Sequence, residues 1–326
     1  MASPAPLGHD KAPRPLQDLL SLPTLRIYPR YAMPDRLLMV TRRTLYRRFR
    51  MIPKKRIRGI QKYIMTRAAL EAKIEIHQYV FLGNHYHILL TDNPLFSTVS
   101  EFLERMNRWL ARVLNSIQGT RGYFWDSEPS HIVEALDREA AEALMVYIAL
   151  NAQRAGLASG PGGWIGLESL IADVGTEPED VPRPSDLGPH LPPLLKLELT
   201  KPKFFEDLSI EEFRAEMTAR IRAASLELRR QRGRRTLSVG AILSTDPLAT
   251  PRETAEEEAE RHRDRTNRPF RGAPQLCREA ELAMAGFQDA YRAARDPWSR
   301  GDHTVTFPPG TYALVRHHGA RTTRAA

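Results

Sequence analysis

A chain of 326 residues, 42% apolar and 27% charged, can bury one large core or two smaller ones, which excludes a globally disordered protein. Its 48 Lys and Arg against 39 Asp and Glu leave a net charge of +9, which favours a polyanionic partner, nucleic acid being the commonest. The single cysteine, Cys277, excludes an intrachain disulfide and a thiolate zinc finger; no apolar run approaches the roughly 18 residues of a membrane span, so no membrane partner and a cytoplasmic location are expected.

Residues 1–30 are Pro-rich and polar and read as a flexible N-terminal arm that lacks the apolar centre of a signal peptide. RLLMVTRR (Arg36 to Arg43) predicts a strand, and Ile57, Ile60, Ile64 and Ala68 give helical spacing across Lys54 to Ala72. Ile74 to Leu82 and Tyr86 to Thr91 predict two strands joined through Gly83-Asn84, a dipeptide suited to a hairpin turn. Thr98 with Glu101 offers a capping box for a helix whose buried face carries Phe102, Met106, Trp109, Val113 and Ile117. His131 to Ala135 predicts a fourth strand, and Asp137 caps a helix running toward Gly156.

This order predicts an α+β fold: a ferredoxin-like four-stranded antiparallel sheet with helices on one face, plus one further helix carrying a tyrosine. A catalytic domain over 31–165 would be followed by a Pro-rich linker, 166–200, and a mainly helical basic extension, 201–326. In that extension Ser209 and Glu212 can cap a helix striped by Phe213, Met217, Ile221 and Leu228, ending in the arginine cluster Arg229 to Arg235. Residues 250–268 read as a solvated charged segment, Leu276 to Ala294 as a last helix, and FPPGTYALVRHH as an extended close.

Three local patterns bear on chemistry. In GNHYHILL, His85 and His87 lie two apart on a strand, so both imidazoles project to one face while Tyr86 turns to the other. Such a pair is half of a metal site or a solvent-facing pair on an amphipathic strand. In YIALNAQRAGL, Tyr147 reads as a half-buried core tyrosine or as a reactive phenol, with Asn151 four residues on and therefore on the same helical face. Between Arg30 and Leu70 thirteen Lys or Arg face a single acid, Asp35; within that tract Arg42, Arg43, Arg47, Arg48, Arg50, Lys54, Lys55 and Arg56, interleaved with Tyr46 and Phe49, could grip phosphates and stack on an unpaired base, or could be a solvated loop.

Together, GNHYHILL, GYFWDSE and YIALNAQRAGL resemble the HUH-type single-tyrosine transposases, in particular the REP-associated tyrosine transposases. The likeness covers roughly residues 30–165. His85, Tyr86 and His87 fill the family's histidine motif; Tyr147, Asn151, Arg154, Ala155, Gly156 and Leu157 match its tyrosine segment, with Ala152 in place of the usual proline. The resemblance implies a transposase, an endonuclease that cuts and rejoins single-stranded or hairpin DNA. Tyr147 would be the nucleophile, and Mg2+ or Mn2+ would be held by His85, His87 and Asn151.

A phenol with an ordinary pKa near 10 attacks slowly at neutral pH unless a cation stabilises the developing charge. Transesterification would conserve the phosphoester energy, and no G-x-x-x-x-G-K-[ST] nucleotide loop is present. Asp126 and His77 are alternative third ligands, and imidazole would equally suit zinc. One tyrosine per subunit leaves room for a homodimer, and DNA as partner makes the expected location nucleoid-associated. A catalytically inactive nucleic-acid-binding protein derived from such an enzyme is the competing class; a zinc hydrolase built on His-x-His lacks a nearby carboxylate ligand.

Overall fold

The computed structural model describes residues 31, 33–232, 236–251 and 269–323. The expected arm 1–30, the end of the second arginine cluster and most of the charged segment 250–268 lie outside the described residues. The chain runs β1 (Leu37–Arg43), α1 (Lys55–Ala72), β2 (Glu75–Phe81), β3 (His85–Thr91), α2 (Val99–Ile117), β4 (His131–Ala135) and α3 (Arg138–Ala149). These seven elements follow the order and nearly the limits that apolar periodicity predicts.

The four long strands lie in the order β2-β3-β1-β4, and each adjacent pair is antiparallel. The sheet nevertheless has six strands, not four. Leu167–Glu168 (β5) adds to the free edge of β2, and Phe270–Arg271 (β8) adds in parallel to β4. Two-residue strands carry no periodicity to read; they form because edge amides and carbonyls of β2 and β4 otherwise lack partners.

Register sorts the two faces. Val40 sits opposite Ile88 and Thr41 opposite His87, so Val40, Tyr86 and Ile88 share one face while Thr41, His85 and His87 share the other. The first face is closed by α2 and its neighbour α1: the Tyr86 hydroxyl donates to Asn107 Oδ1 on α2 at 2.8 Å, with Trp125 edge-on to the Tyr86 ring. The second face carries α3.

Segment 166–200, expected as a linker, is packed structure. Glu179–Pro182 (β6) and Leu194–Leu197 (β7) form a hairpin, and Val174, Val181, Leu187, Leu191, Leu197 and Leu199 are buried in the main core. The Tyr63 hydroxyl on α1 donates to the Pro192 carbonyl at 2.6 Å. Its prolines shape turns between short contacts rather than an extended spacer.

Beyond it, α4 (Ile210–Arg232) buries Phe213, Met217, Ile221 and Leu228 in the same core. Ser209 and Glu212 cap it reciprocally, Ser209 N–H donating to Glu212 Oε2 at 2.8 Å and Glu212 N–H to Ser209 Oγ at 3.2 Å. The box expected at Thr98 does not form: the Thr98 hydroxyl donates to Ala72 O, and its N–H goes to the Asp92 carboxylate, which also holds Ser97 and Asn93.

A smaller cluster of Ala294, Phe307 and Ala320 organises α5 (Pro274–Ser299), the β9–β10 pair (Thr306–Phe307 and Arg321–Thr322) and α6 (Tyr312–His318). The helix α6 replaces much of the extended close expected there. The corner before α5 approaches α3 so closely that a Cβ on Gly272 would lie 2.9 Å from Asp137 Oδ2.

Candidate functional site

α3 starts at Asp137, whose Oδ1 accepts from Ala140 N–H at 2.8 Å while Oδ2 accepts from Ala273 N–H at 2.7 Å. One carboxylate thus caps the helix and ties down the segment entering α5. Ala141, Leu144, Met145 and Ile148 bury the inner stripe of α3, which leaves Tyr147 half-buried at its edge. α3 ends at Ala149 and a separate single turn, Asn151–Arg154, follows. Tyr147 and Asn151 are therefore not on one continuous helix, although both reach the histidine face.

α4 braces that arrangement from outside the expected catalytic domain. Gln153 and Ser225, both buried, exchange two hydrogen bonds: Gln153 Nε2 to Ser225 O at 3.0 Å and Ser225 Oγ to Gln153 Oε1 at 2.7 Å. At the other end Arg138 meets Glu142, Asp207 and Glu216, and Arg220 of α4 reaches Glu142 at 3.1 Å.

The two imidazoles meet the tyrosine. Ring centroids of His85 and His87 are 5.0 Å apart, and His87 to Tyr147 is 5.2 Å, both edge to face. The Arg154 guanidinium lies 5.5 Å over the Tyr147 ring. His85 Nδ1 lies 2.7 Å from Asn84 Oδ1 and Nε2 3.2 Å from Asn151 Oδ1; a neutral ring carries one proton, so it donates to one of these oxygens and meets the other lone pair to lone pair. Two acceptors facing one another is an arrangement that a proton or a cation between them relieves.

His87, 4% exposed, has Nδ1 2.7 Å from Thr41 Oγ1, while its buried Nε2 has no hydrogen-bond partner. A buried ring nitrogen without a partner is costly unless something occupies it. Burial, with Arg43 adding to it, pushes the His85 pKa down to about 4. Burial also holds His87 well below the ordinary value, assisted by His85, Arg43 and His131. Both rings are thus neutral at pH 7, the state in which imidazole binds metal.

His85 Nε2, His87 Nε2 and Asn151 Oδ1 are the donors that could hold a divalent cation, as two nitrogens and one oxygen, with the other ring nitrogens beside Asn84 and Thr41. Among the described residues no three His, Cys, Asp or Glu side chains are grouped to hold a metal, so such an ion would take its third protein donor from the amide. His77 is no alternative: it accepts and donates fully, through Nδ1 to Thr200 O at 2.9 Å and Nε2 to Thr91 Oγ1 at 2.7 Å. The Asp126 carboxylate is engaged locally by Ser127 and the Glu128 N–H, both at 3.3 Å.

Over this face opens a cleft of about 1380 Å³, lined by Thr41, Arg43, Arg47, His87, His131 and Tyr147 on the sheet side and by Cys277, Glu281, Met284 and Gln288 on α5. His131 belongs to the site although its sequence context shows only a strand start. The register sets Thr41 opposite His87 on one side and opposite His131 on the other, and His131 contributes to the low His87 pKa. Only knowledge that β1 lies between β3 and β4 would have found it.

The basic tract divides. Arg42, Arg43 and Arg47 line the cleft, Arg48 lies 5.3 Å over the Tyr46 ring, and Lys54 and Lys55 are exposed at the start of α1. Arg42 and two others are engaged within the protein. Arg42 donates to the carbonyls of Asp126 and Glu128, and Arg56 pairs with Asp186. Arg50, 4% exposed, donates to Gln118 Oε1, Asn115 Oδ1 and Thr120 Oγ1 and lies 4.6 Å over Phe124, so its charge is spent on fastening loops.

No family model and no curated protein matches this chain. Among solved structures it is similar to a REP-associated tyrosine transposase bound to a REP hairpin, at 15% identity and TM-score 0.39, over 46% of this chain and 85% of that one. It is also similar to a candidate transposase of Deinococcus radiodurans R1, at 16% identity and TM-score 0.28, over 36% of this chain and 92% of that one. At this level the likeness by itself fixes neither mechanism nor substrate.

Proposed function

We propose that the chain is a metal-dependent, transposase-like enzyme that cuts and rejoins single-stranded or hairpin DNA through a covalent 5′-phosphotyrosine at Tyr147. One observation carries the reading: the Tyr147 ring lies 5.2 Å from that of His87, whose buried Nε2 lacks a partner. A merely structural histidine would have both nitrogens matched, as His77 has. We read the central strand order β2-β3-β1-β4, with α1 and α2 together, as a ferredoxin-like core inside the six-stranded sheet, an arrangement compatible with the same function.

In the exchange, the phenolic oxygen bonds to phosphorus, the bond from phosphorus to the 3′ oxygen breaks, and the phenolic proton ends on the freed 3′ hydroxyl. Arg43 and Arg47 would hold the flanking phosphates in the cleft. Arg154, over the ring face, stabilises the negative charge that grows on the phenol. Magnesium or manganese on His85, His87 and Asn151 would polarise the scissile phosphate. With one such tyrosine per chain, strand exchange between two ends calls for a second copy or for successive reactions, and the first of these makes a homodimer part of the proposal.

The test is an end-labelled hairpin oligonucleotide incubated with manganese and the full chain, then run under denaturing conditions. Wild type should shift the label into a protein-linked band. Tyr147→Phe, which removes one oxygen from a half-buried ring, should bind the oligonucleotide and form no adduct. Adduct formation by the phenylalanine variant at the wild-type rate would rule out Tyr147; none by either protein would favour an inactive DNA-binding module.

A further inference from the structure

We infer that Tyr46 and Tyr123 form a two-ring platform on which unpaired bases of single-stranded DNA stack beside the Tyr147 cleft. The inference rests on the reading of DNA as the partner and adds where, and by what chemistry, the unpaired strand is held.

Two loops meet at this point. Asp126 N–H donates to Arg43 O at 3.0 Å, Thr44 bridges Trp125, and Leu45 N–H donates to Phe124 O at 2.9 Å. The ladder ends there, since Leu45 O accepts from Arg48 N–H at 3.3 Å, and Tyr46 and Tyr123 are the next residues on the two adjoining loops. Both rings are left to solvent: Tyr46 is 63% exposed, and Tyr123, at 85%, is the most exposed large apolar side chain described.

Isolated exposed aromatics are ordinary; a pair mounted on a braced loop is not. Tyr46 and Arg47 both adopt left-handed backbone, with φ of 54° and 53°, a conformation that a bulky residue keeps only where its surroundings impose it. Here Thr44 holds the turn: its single hydroxyl proton serves Arg48 O at 2.6 Å or Asn84 O at 3.1 Å, while its carbonyl accepts from Arg47 N–H at 2.9 Å. Beneath the facing loop, buried Arg50 ties Asn115, Gln118 and Thr120 together and lies against Phe124. The scaffold is fixed below and bare above.

The chemistry of the surface selects its occupant. Arg48 lies 5.3 Å over the Tyr46 ring, and Arg43 and Arg47 continue from the loop into the cleft lined by His87 and Tyr147. Aromatic faces beside guanidinium groups suit bases that offer a free π-face next to phosphates, and a duplex hides those faces inside its stack. Phe49, the other aromatic of the tract, does not join them: it packs on Gly83, where a Cβ would lie 3.1 Å from its ring.

The test compares a blunt DNA hairpin with the same hairpin carrying an unpaired 5′ tail that contains 2-aminopurine, titrated with full-length wild type, with Tyr46→Leu/Tyr123→Leu and with Tyr46→Phe/Tyr123→Phe. Wild type should quench the 2-aminopurine. The leucine pair should lose the quenching and about tenfold or more in affinity for the tailed hairpin, with blunt-hairpin affinity unchanged and the phenylalanine pair close to wild type. Unchanged affinity and quenching in the leucine pair would overturn the platform, as would an equal loss on both hairpins. Wild-type binding to neither DNA would instead remove the functional reading beneath it.

Discussion

Tyr86 and His87 are neighbours on β3, yet each serves a different half of the molecule. Tyr86 is fully buried with its hydroxyl matched to Asn107; His87 is nearly as buried, and one of its nitrogens is unmatched. Strand alternation sends the first under α2 and the second toward Tyr147. A polar group that is matched, as the Tyr86 hydroxyl is, builds stability, whereas one left open beside a reactive side chain, as His87 Nε2 is, keeps room for a ligand.

The comparison breaks most visibly at the histidines. Replacing His85 and His87 by alanine should lower manganese affinity on the order of 100-fold or more, measured by calorimetric titration. Tyr86→Phe should leave that affinity unchanged and cost about 1 kcal/mol of stability, because Asn107 Oδ1 loses its donor. Equal manganese binding by the double variant, or a large loss from Tyr86→Phe, would mean that the faces are not divided as described.

A second contrast sets His77 against the site histidines. Burial pushes the His77 pKa down to about 4 although both its nitrogens are matched. A histidine whose folded pKa lies below its unfolded value of about 6.5 contributes stability that is complete above that value and is lost as pH falls toward 4. For His77 the loss should reach on the order of 3 kcal/mol. Melting temperature followed from pH 7 to pH 4 in metal-free buffer should fall, and His77→Gln should flatten the curve. A curve unaltered by the substitution would place the titration elsewhere.

A smaller effect is expected where α4 meets the turn carrying Asn151. Ser225→Ala removes a buried donor from Gln153 and should cost about 1–2 kcal/mol. Adduct formation should slow several-fold while DNA affinity stays level, since Ser225 touches the brace and not the cleft. If hairpin affinity fell in step with the rate, the brace would be shaping the binding surface as well.

How much of this could be read from the chain alone follows from what each feature depends on. β1 to α3 carry their own periodicity, and the parity of His85 and His87 is a property of any strand. The Asp137 and Ser209 caps are local and were legible too. Arg50 and Arg56 were not, because a run of cations looks alike whether its partners are phosphates, solvent, Asn115 or Asp186. The segment 166–200 misled through its prolines: strands of two to four residues leave little pattern, and what makes them structure is burial against α1 and β2. Asn151 lies near His85 across a break in the helix that the spacing did not show.

The brace formed by α4 also orders events in time. Residues 210–232 leave the ribosome after the helix bearing Tyr147, by on the order of ten seconds at typical elongation rates. Until then α3 has neither the Gln153–Ser225 link nor the Arg220–Glu142 pair, and the apolar stripe that α4 covers is bare. β8, which completes the sheet beside β4, arrives later still. The centre that would nick DNA is therefore assembled from both ends of a long sequence separation, so a nascent or prematurely terminated chain carries its tyrosine without the frame that aims it.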